Sequence, residues 1–383
     1  MSGLTRAASA SALLLALAGL AGCSSSHKRP AAAQSAAGLV TSTAPGPSSA
    51  VGASAGTTTT DPASLAATGA PIPPPPERGG SPAVAPAGSV ALGTKPARVV
   101  LSWPLAYVLG QPQGDRFDVV RVDLPTRSVT ARATLQGTPT GAAVSATGLY
   151  VVAGGTGGSP TTLIRLDPVS LAVQNQVARP GLGSQVVARA DGVYLAPGVA
   201  LERRDPQSLA AKGSVPLPAH DDVADLAADP RASVLWVALP AQDPPLTLVE
   251  VDLGSFRVLR SRRDLGGVHG GKVSGLGDDA WVGFATGTQS TAERVRASDA
   301  ATIATFQAAM PNRAVYTVSG TKLWFSGGQA AGLGCADLST GAVQGTSEVA
   351  ADTSPFAADT HVAVLGDQVG GAVRLLVPAP ACR

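Results

Sequence analysis

The chain has 383 residues and little charge, few aromatics, four histidines and three cysteines. Only 14% of residues are Asp, Glu, Lys or Arg, and the net charge of +2 creates no strong field. Nucleic acid is thereby disfavoured as a partner, because it demands a basic stripe. No CxxC pair, His-Glu-x-x-His segment or Gly-x-Ser-x-Gly elbow occurs, so no metal, cofactor or catalytic residue is assigned. After the first two dozen residues no apolar run is long enough to cross a bilayer. Abundant instead are Gly (45), Pro (31) and apolar residues (44%). That mixture suits many short strands and turns better than long charged helices.

The N-terminus reads as a targeting segment, residues 1–22. Arg6 precedes an apolar run from Ala7 to Ala21 that is short for a permanent span. The run ends in Leu20-Ala21-Gly22-Cys23, which resembles the bacterial lipobox. Small residues let a peptidase approach the backbone, and Cys23 then offers a thiol for a diacylglyceryl anchor. The plainer alternative is an ordinary secretory signal with a chance Cys. Residues 23–87 are mostly Ala, Ser, Thr, Gly and Pro, including Pro73-Pro74-Pro75-Pro76, and read as a disordered tether. Its r.m.s. reach is roughly 45 Å. The expectation is a lipid-anchored protein of the cell envelope on the extracytoplasmic side, held to the membrane by that lipid.

Residues 88–383 are dominated by a repeat. Tyr107, Tyr150, Tyr194, Trp236, Trp281 and Trp324 recur at intervals of 43, 44, 42, 45 and 43, each inside a short β-prone run. A second signature, Asp-x-x-Ser/Thr, starts at Asp123, Asp167, Asp205, Asp252, Asp299 and Asp337. A carboxylate followed three residues later by a hydroxyl is turn chemistry, and strands flank each copy, so each marks the hairpin between the two outer strands of a unit. A third element of small residues precedes the aromatic, best seen in Pro139-Thr140-Gly141-Ala142-Ala143-Val144-Ser145. Small side chains suit a strand crowded around an axis. Leu92 to Ser102 aligns with Leu135 to Ser145 at a shift of 43. Four strands in such a unit make one propeller blade.

Six full units are followed by a seventh, near Pro355 to Val377, with three strands only. Gly88-Ser89-Val90-Ala91-Leu92 is a strand left over, placed to supply the missing outer strand. The fold class predicted is therefore all-β, a seven-bladed β-propeller of four-stranded blades closed by an N-terminal strand. The Pro-Thr-Gly-Ala-Ala-Val-Ser segment, Tyr150-Val151-Val152 and the Asp-x-x-Ser/Thr turn lie in an order that resembles the YVTN-type (YncE-like) propeller repeat family of bacterial and archaeal surface and secreted proteins. The resemblance covers about residues 88–378; Tyr194-Leu195-Ala196 and Cys335-Ala336-Asp337 depart from it.

The periodic Asp residues read as structural, since a residue needed in every blade shapes every hairpin. Gly266-Gly267-Val268-His269-Gly270-Gly271-Lys272 approaches a phosphate loop, but Val273 stands where Ser or Thr would hold magnesium, and a strand rather than a helix is expected to follow. His220, Asp221 and Asp222, then His269 and Lys272, then Arg313 fall in connections from the outermost strand of one blade to the innermost of the next. His361 reads as the start of a strand in the last blade. The connections open around the axis, so these six residues form a candidate ligand-binding mouth; exposed loop polarity is the plainer alternative. Cys335 and Cys382 are candidates for a disulfide in an oxidising compartment, or else two free buried thiols. The function expected is a binding or scaffold module of the cell envelope, for an envelope protein, glycan or small molecule. The alternative is an extracytoplasmic lactonase- or lyase-like enzyme, which rests on fold analogy alone.

Overall fold

The computed structural model describes residues 82–155, 160–179, 185–197, 199–218, 225–239, 246–265, 269–286, 289–308, 315–326, 332–340, 342–347 and 355–383. The leader, Cys23 and the tether up to residue 81 lie outside them, whereas residues 84–87, expected to belong to the tether, are part of a strand. The first strand, β1, is Val84–Ala91. Blade 1 holds β2 (Pro96–Ser102), β3 (Leu105–Gly110), β4 (Arg116–Asp123) and β5 (Ser128–Gln136). Blade 2 holds β6 (Thr138–Ser145), β7 (Gly148–Gly154), β8 (Thr161–Leu166) and β9 (Val173–Arg179). Blade 3 holds β10 (Val186–Ala188), β11 (Val193–Leu195), β12 (Ala200–Arg204) and β13 (Ala211–Pro216). Blade 4 holds β14 (Asp225–Ala227), β15 (Val234–Leu239), β16 (Leu246–Asp252) and β17 (Arg257–Leu265). Blade 5 holds β18 (His269–Leu276), β19 (Asp279–Thr286), β20 (Gln289–Val295) and β21 (Thr302–Ala308). Blade 6 holds β22 (Val315–Ser319), β23 (Lys322–Ser326), β24 (Leu333–Asp337) and β25 (Val343–Ser347). Blade 7 is β26 (Phe356–Ala358), β27 (Ala363–Asp367) and β28 (Ala372–Pro378), completed by β1.

Every sheet is antiparallel and four-stranded, and six of them follow chain order. The seventh runs β1-β28-β27-β26, so the first strand is the outer edge of the last blade. Val90 pairs with Val373 and Ser89 with Arg374. The strand starts at Val84, upstream of the expected Gly88, and Leu92 lies past its end, donating its amide to the Gly371 carbonyl.

The periodic aromatics all sit on the second strand of a blade, and all are at most 2% exposed. They are buried because each sheet is sandwiched between two others, and side chains of a strand alternate between its faces. In β15, Val234, Trp236 and Ala238 join the cluster shared with blade 5, while Leu235, Val237 and Leu239 join the one shared with blade 3. Tyr107 and Leu109 of blade 1 likewise pack with Leu149 and Val151 of blade 2. The circuit closes where Val362, Val364 and Val373 of blade 7 meet Ala106 and Val108 of blade 1. The polar tips of the aromatics stitch neighbouring blades: Tyr107 and Tyr150 donate to the Pro168 and Pro206 carbonyls, and Trp236 Nε1 to the Asp278 carbonyl. Those tips lie between the first–second turns and the third–fourth turns, so both turn types share one face of the ring.

The third–fourth hairpins confirm the turn reading in five blades. Thr126, Ser170, Ser208 and Ser255 each give a backbone N–H and a hydroxyl to one oxygen of the Asp three residues earlier, and Thr340 does the same with Asp337. Blade 5 corrects the sequence reading. There the turn begins at Arg296, whose amide bonds the Ala301 carbonyl as Asp167 bonds Ala172. Asp299 occupies the fourth position and pairs with Arg296 at 2.6 Å, while Thr302 belongs to β21 and donates to Glu293. An ion pair has replaced the carboxylate–hydroxyl pair, and the Asp-x-x-Thr spelling there is three residues out of register.

The first strands are neighbours around the axis, β2 beside β6, β6 beside β10, and so on to β26 beside β2. Approach there is close. A Cβ on Gly275 would stand 2.4 Å from the Asp229 amide nitrogen of blade 4. Cys335 of β24 and Cys382, in a short 3-10 turn after β28, are bonded to each other across the interface of blades 6 and 7. Both are fully buried, beside Val84, Trp324 and Leu376.

Candidate functional site

The expected mouth is described only in part. His220, Asp221, Asp222 and Arg313 lie outside the described residues. His269 is corrected from a connection to the first residue of β18, where its backbone pairs with Ala285. Lys272 is likewise inside β18, so the glycine-rich segment around it runs into a strand, and no helix N-terminus is available to hold a phosphate. His361 is corrected from a strand start to the turn before β27, where its ring stacks on the half-exposed Trp103 at 4.6 Å. Among the described residues no three His, Cys, Asp or Glu side chains gather to hold a metal ion.

The structure assembles a different group at the axis. Arg98, Asp225 and Lys272 lie on the first strands of blades 1, 4 and 5. Each stands opposite the residue two past its blade's aromatic: Arg98 opposite Leu109, Asp225 opposite Ala238, Lys272 opposite Gly283. They therefore share one layer of the ring, together with Gly141 of blade 2, opposite Val152. In a ring of seven, blade 1 faces the junction of blades 4 and 5, which sets Arg98 across the axis from Asp225 and Lys272. Most residues of β2 and β6 keep partial exposure, whereas β3 and β7 behind them are buried almost throughout, so water reaches the layer along the axis.

Lys272 Nζ is 3.8 Å from Asp225 Oδ2, and the Val273 amide donates to the same oxygen at 3.0 Å. The Asp225 side chain retains 14% exposure and that of Lys272 37%. Burial pushes the Asp225 carboxyl up, against the pull of Lys272, the Val273 and Leu226 amides and Arg98. Burial also lowers the Arg98 guanidinium, with Asp225 opposing. These directions fit charges that keep partial contact with solvent while walled by protein.

A second buried acid lies away from the axis. Glu250 stands opposite Trp236, where blades 1, 2, 3 and 5 carry Arg121, Arg165, Arg203 and Arg294 opposite their aromatics. It is 2% exposed, with Arg260 Nε 3.0 Å from Oε2 but no aligned hydrogen bond to that oxygen. Burial pushes its carboxyl up to about 7 from the ordinary 4.5; Arg260 opposes the shift, and Asp278 and Asp252 add to it. A raised folded value means the folded state holds a proton that the unfolded chain has released, so stability falls as pH rises from about 4.5 through about 7. Glu250→Gln is expected to raise stability by about 1–2 kcal/mol at pH 8, discounted for the half-exposed Arg260, and to give no gain at pH 4.5. Urea unfolding of both proteins at the two pH values checks this.

The chain is a seven-bladed β-propeller. No protein-family model matches it, and no curated protein matches it. Among solved structures it is similar to Kuenenia stuttgartiensis hydrazine synthase, at 13% identity and a TM-score of 0.56, covering 75% of this chain and 96% of that one. It is similar to the β-propeller domain of Myceliophteria thermophila Cps50 (Swd1), at 12% identity and a TM-score of 0.58, covering 77% and 100%. BamB from Moraxella catarrhalis aligns at 12% identity and a TM-score of 0.50, covering 77% and 99%. Identities this low establish the fold alone.

Proposed function

We propose that this protein is a lipid-anchored binding module of the bacterial cell envelope, attached through Cys23 and carried clear of the membrane by the segment between Cys23 and β1. The domain binds an envelope protein, glycan or small molecule at the axial end where the first strands begin. One observation carries the binding reading: the closed ring of sheets presents Arg98, Asp225 and Lys272 together in one layer at its axis. A rigid scaffold with a few convergent charges in a concave passage is how ligand sites are commonly built. The Leu20-Ala21-Gly22-Cys23 segment after its apolar run supports the anchor. The buried Cys335–Cys382 bond supports export, because such bonds persist in oxidising compartments. The repeat signatures support membership of the YVTN-type family.

The anchor is tested by fractionation of a bacterial host. Wild-type protein is expected in the membrane fraction with incorporated palmitate label, released only by detergent. Cys23→Ala is expected to leave the membrane and lose the label. Continued membrane retention of Cys23→Ala contradicts the anchor.

A further inference from the structure

The seven first strands hold three charged residues, Arg98, Asp225 and Lys272, among Ala, Gly, Val, Ser, Thr and Pro for the most part. All three fall in one layer. A charge in such a crowded, small-residue position is costly unless something uses it, because desolvation penalises an ion that lacks a partner. Asp225 and Lys272 satisfy each other across the junction of blades 4 and 5. Arg98 has no such match. Among the described residues no side chain or carbonyl accepts a hydrogen bond from it, and the carboxylate that acts on it, Asp225, is already engaged by Lys272 and the Val273 amide. Its guanidinium is a planar fork of five donors, and the register places a second cation, Lys272, on a first strand across the axis.

We propose that this layer is a binding site for a single oxyanion group, a carboxylate or phosphate of a small ligand, held between Arg98 on one wall and Lys272 on the other. Among the described residues of the layer, two cations stand against one carboxylate. The Arg98 fork supplies a bidentate contact, Lys272 supplies a point charge opposite, and Asp225 limits the affinity by competing for Lys272. The small residues elsewhere in the layer, such as Gly141, leave room on the axis for the rest of the ligand.

This inference deepens the binding reading above and rests on it, but not on the anchor. It is tested by isothermal titration of the full chain in detergent with acetate, succinate and inorganic phosphate over a constant chloride background. At least one of them is expected to bind saturably at one site, with a Kd of roughly millimolar or tighter. Arg98→Gln and Lys272→Gln are each expected to weaken that binding by about tenfold or more, and Asp225→Asn to strengthen it severalfold. All three variants should unfold cooperatively near the wild-type midpoint, which separates lost binding from lost folding. Absence of saturable heat for all three anions, or equal affinity in wild type and in an Arg98→Gln protein that folds, overturns the site. So does binding of calcium that Asp225→Asn abolishes. A chain that gives no heat yet still cross-links specifically to an envelope protein keeps the binding reading and loses this one.

Discussion

Val90→Asp is expected to destabilise the domain by about 4 kcal/mol, measured as a fall in the urea midpoint. Val90 is 5% exposed and packs with Val362, Val364 and Val373 of blade 7 and with Ala106 and Val108 of blade 1. A carboxylate there meets no cation within that cluster, so its desolvation is uncompensated. Ser89 is the control. It is the adjacent residue of the same strand, and alternation turns it to solvent. Ser89→Asp is expected to change stability by less than about 0.5 kcal/mol. Equal effects at the two positions would mean that β1 does not lie in the register seen here.

Loss of the disulfide comes next in size. Cys335 and Cys382 are 47 residues apart in sequence, with Cα atoms at 5.8 Å. In the chain-entropy model, closing a loop of that length stabilises by about 4 kcal/mol, and removal of native bonds costs about 2–5 kcal/mol in practice. The bond also secures a seam that β1 helps to form. Ala83 accepts from the Ala379 amide and donates to the Thr346 carbonyl, tying the tail, the first strand and blade 6 together. The double variant Cys335→Ala/Cys382→Ala should therefore lose about 2–4 kcal/mol, and reduction of the wild type should lose a similar amount. Reduced and oxidised proteins that unfold at the same urea concentration would exclude the bond as a stabilising element.

The fold was largely legible in the sequence, because the features that repeat are the ones the architecture needs seven times over. In six of the seven blades an aromatic on the second strand fills the space between two sheets, so Tyr107 through Trp324 keep step, while β27 of blade 7 has none. The leftover Val90 strand was legible because three strands in the last unit leave an unpaired edge. Periodicity misled where one chemistry replaced another. Arg296 and Asp299 close the blade 5 turn with an ion pair, so the Asp-x-x-Thr pattern at Asp299 and Thr302 does not mark that turn.

The axial layer was harder to see. Of its three charges the sequence marks only Lys272, through its neighbours rather than its register. Arg98 was within reach: at the repeat shift of 43 it falls on Gly141, a charge where the best copy has no side chain. Asp225 was not. It lies eleven residues before its aromatic, whereas Arg98 and Lys272 lie nine before theirs. The turn between β14 and β15 is two residues longer than that between β6 and β7: Ala227 pairs with Trp236, but Ala143 pairs with Tyr150. A fixed period steps past that insertion, and only strand pairing restores the layer.

Hydrogen exchange of the full chain, followed at residues 84–91, interrogates the circle where it is sealed. These amides should be protected to the same extent as those of 372–378 and should lose protection together with them when the ring opens. Exchange of 84–91 at the rate of an unstructured peptide, while 372–378 stays protected, would show a propeller left open at its seventh blade.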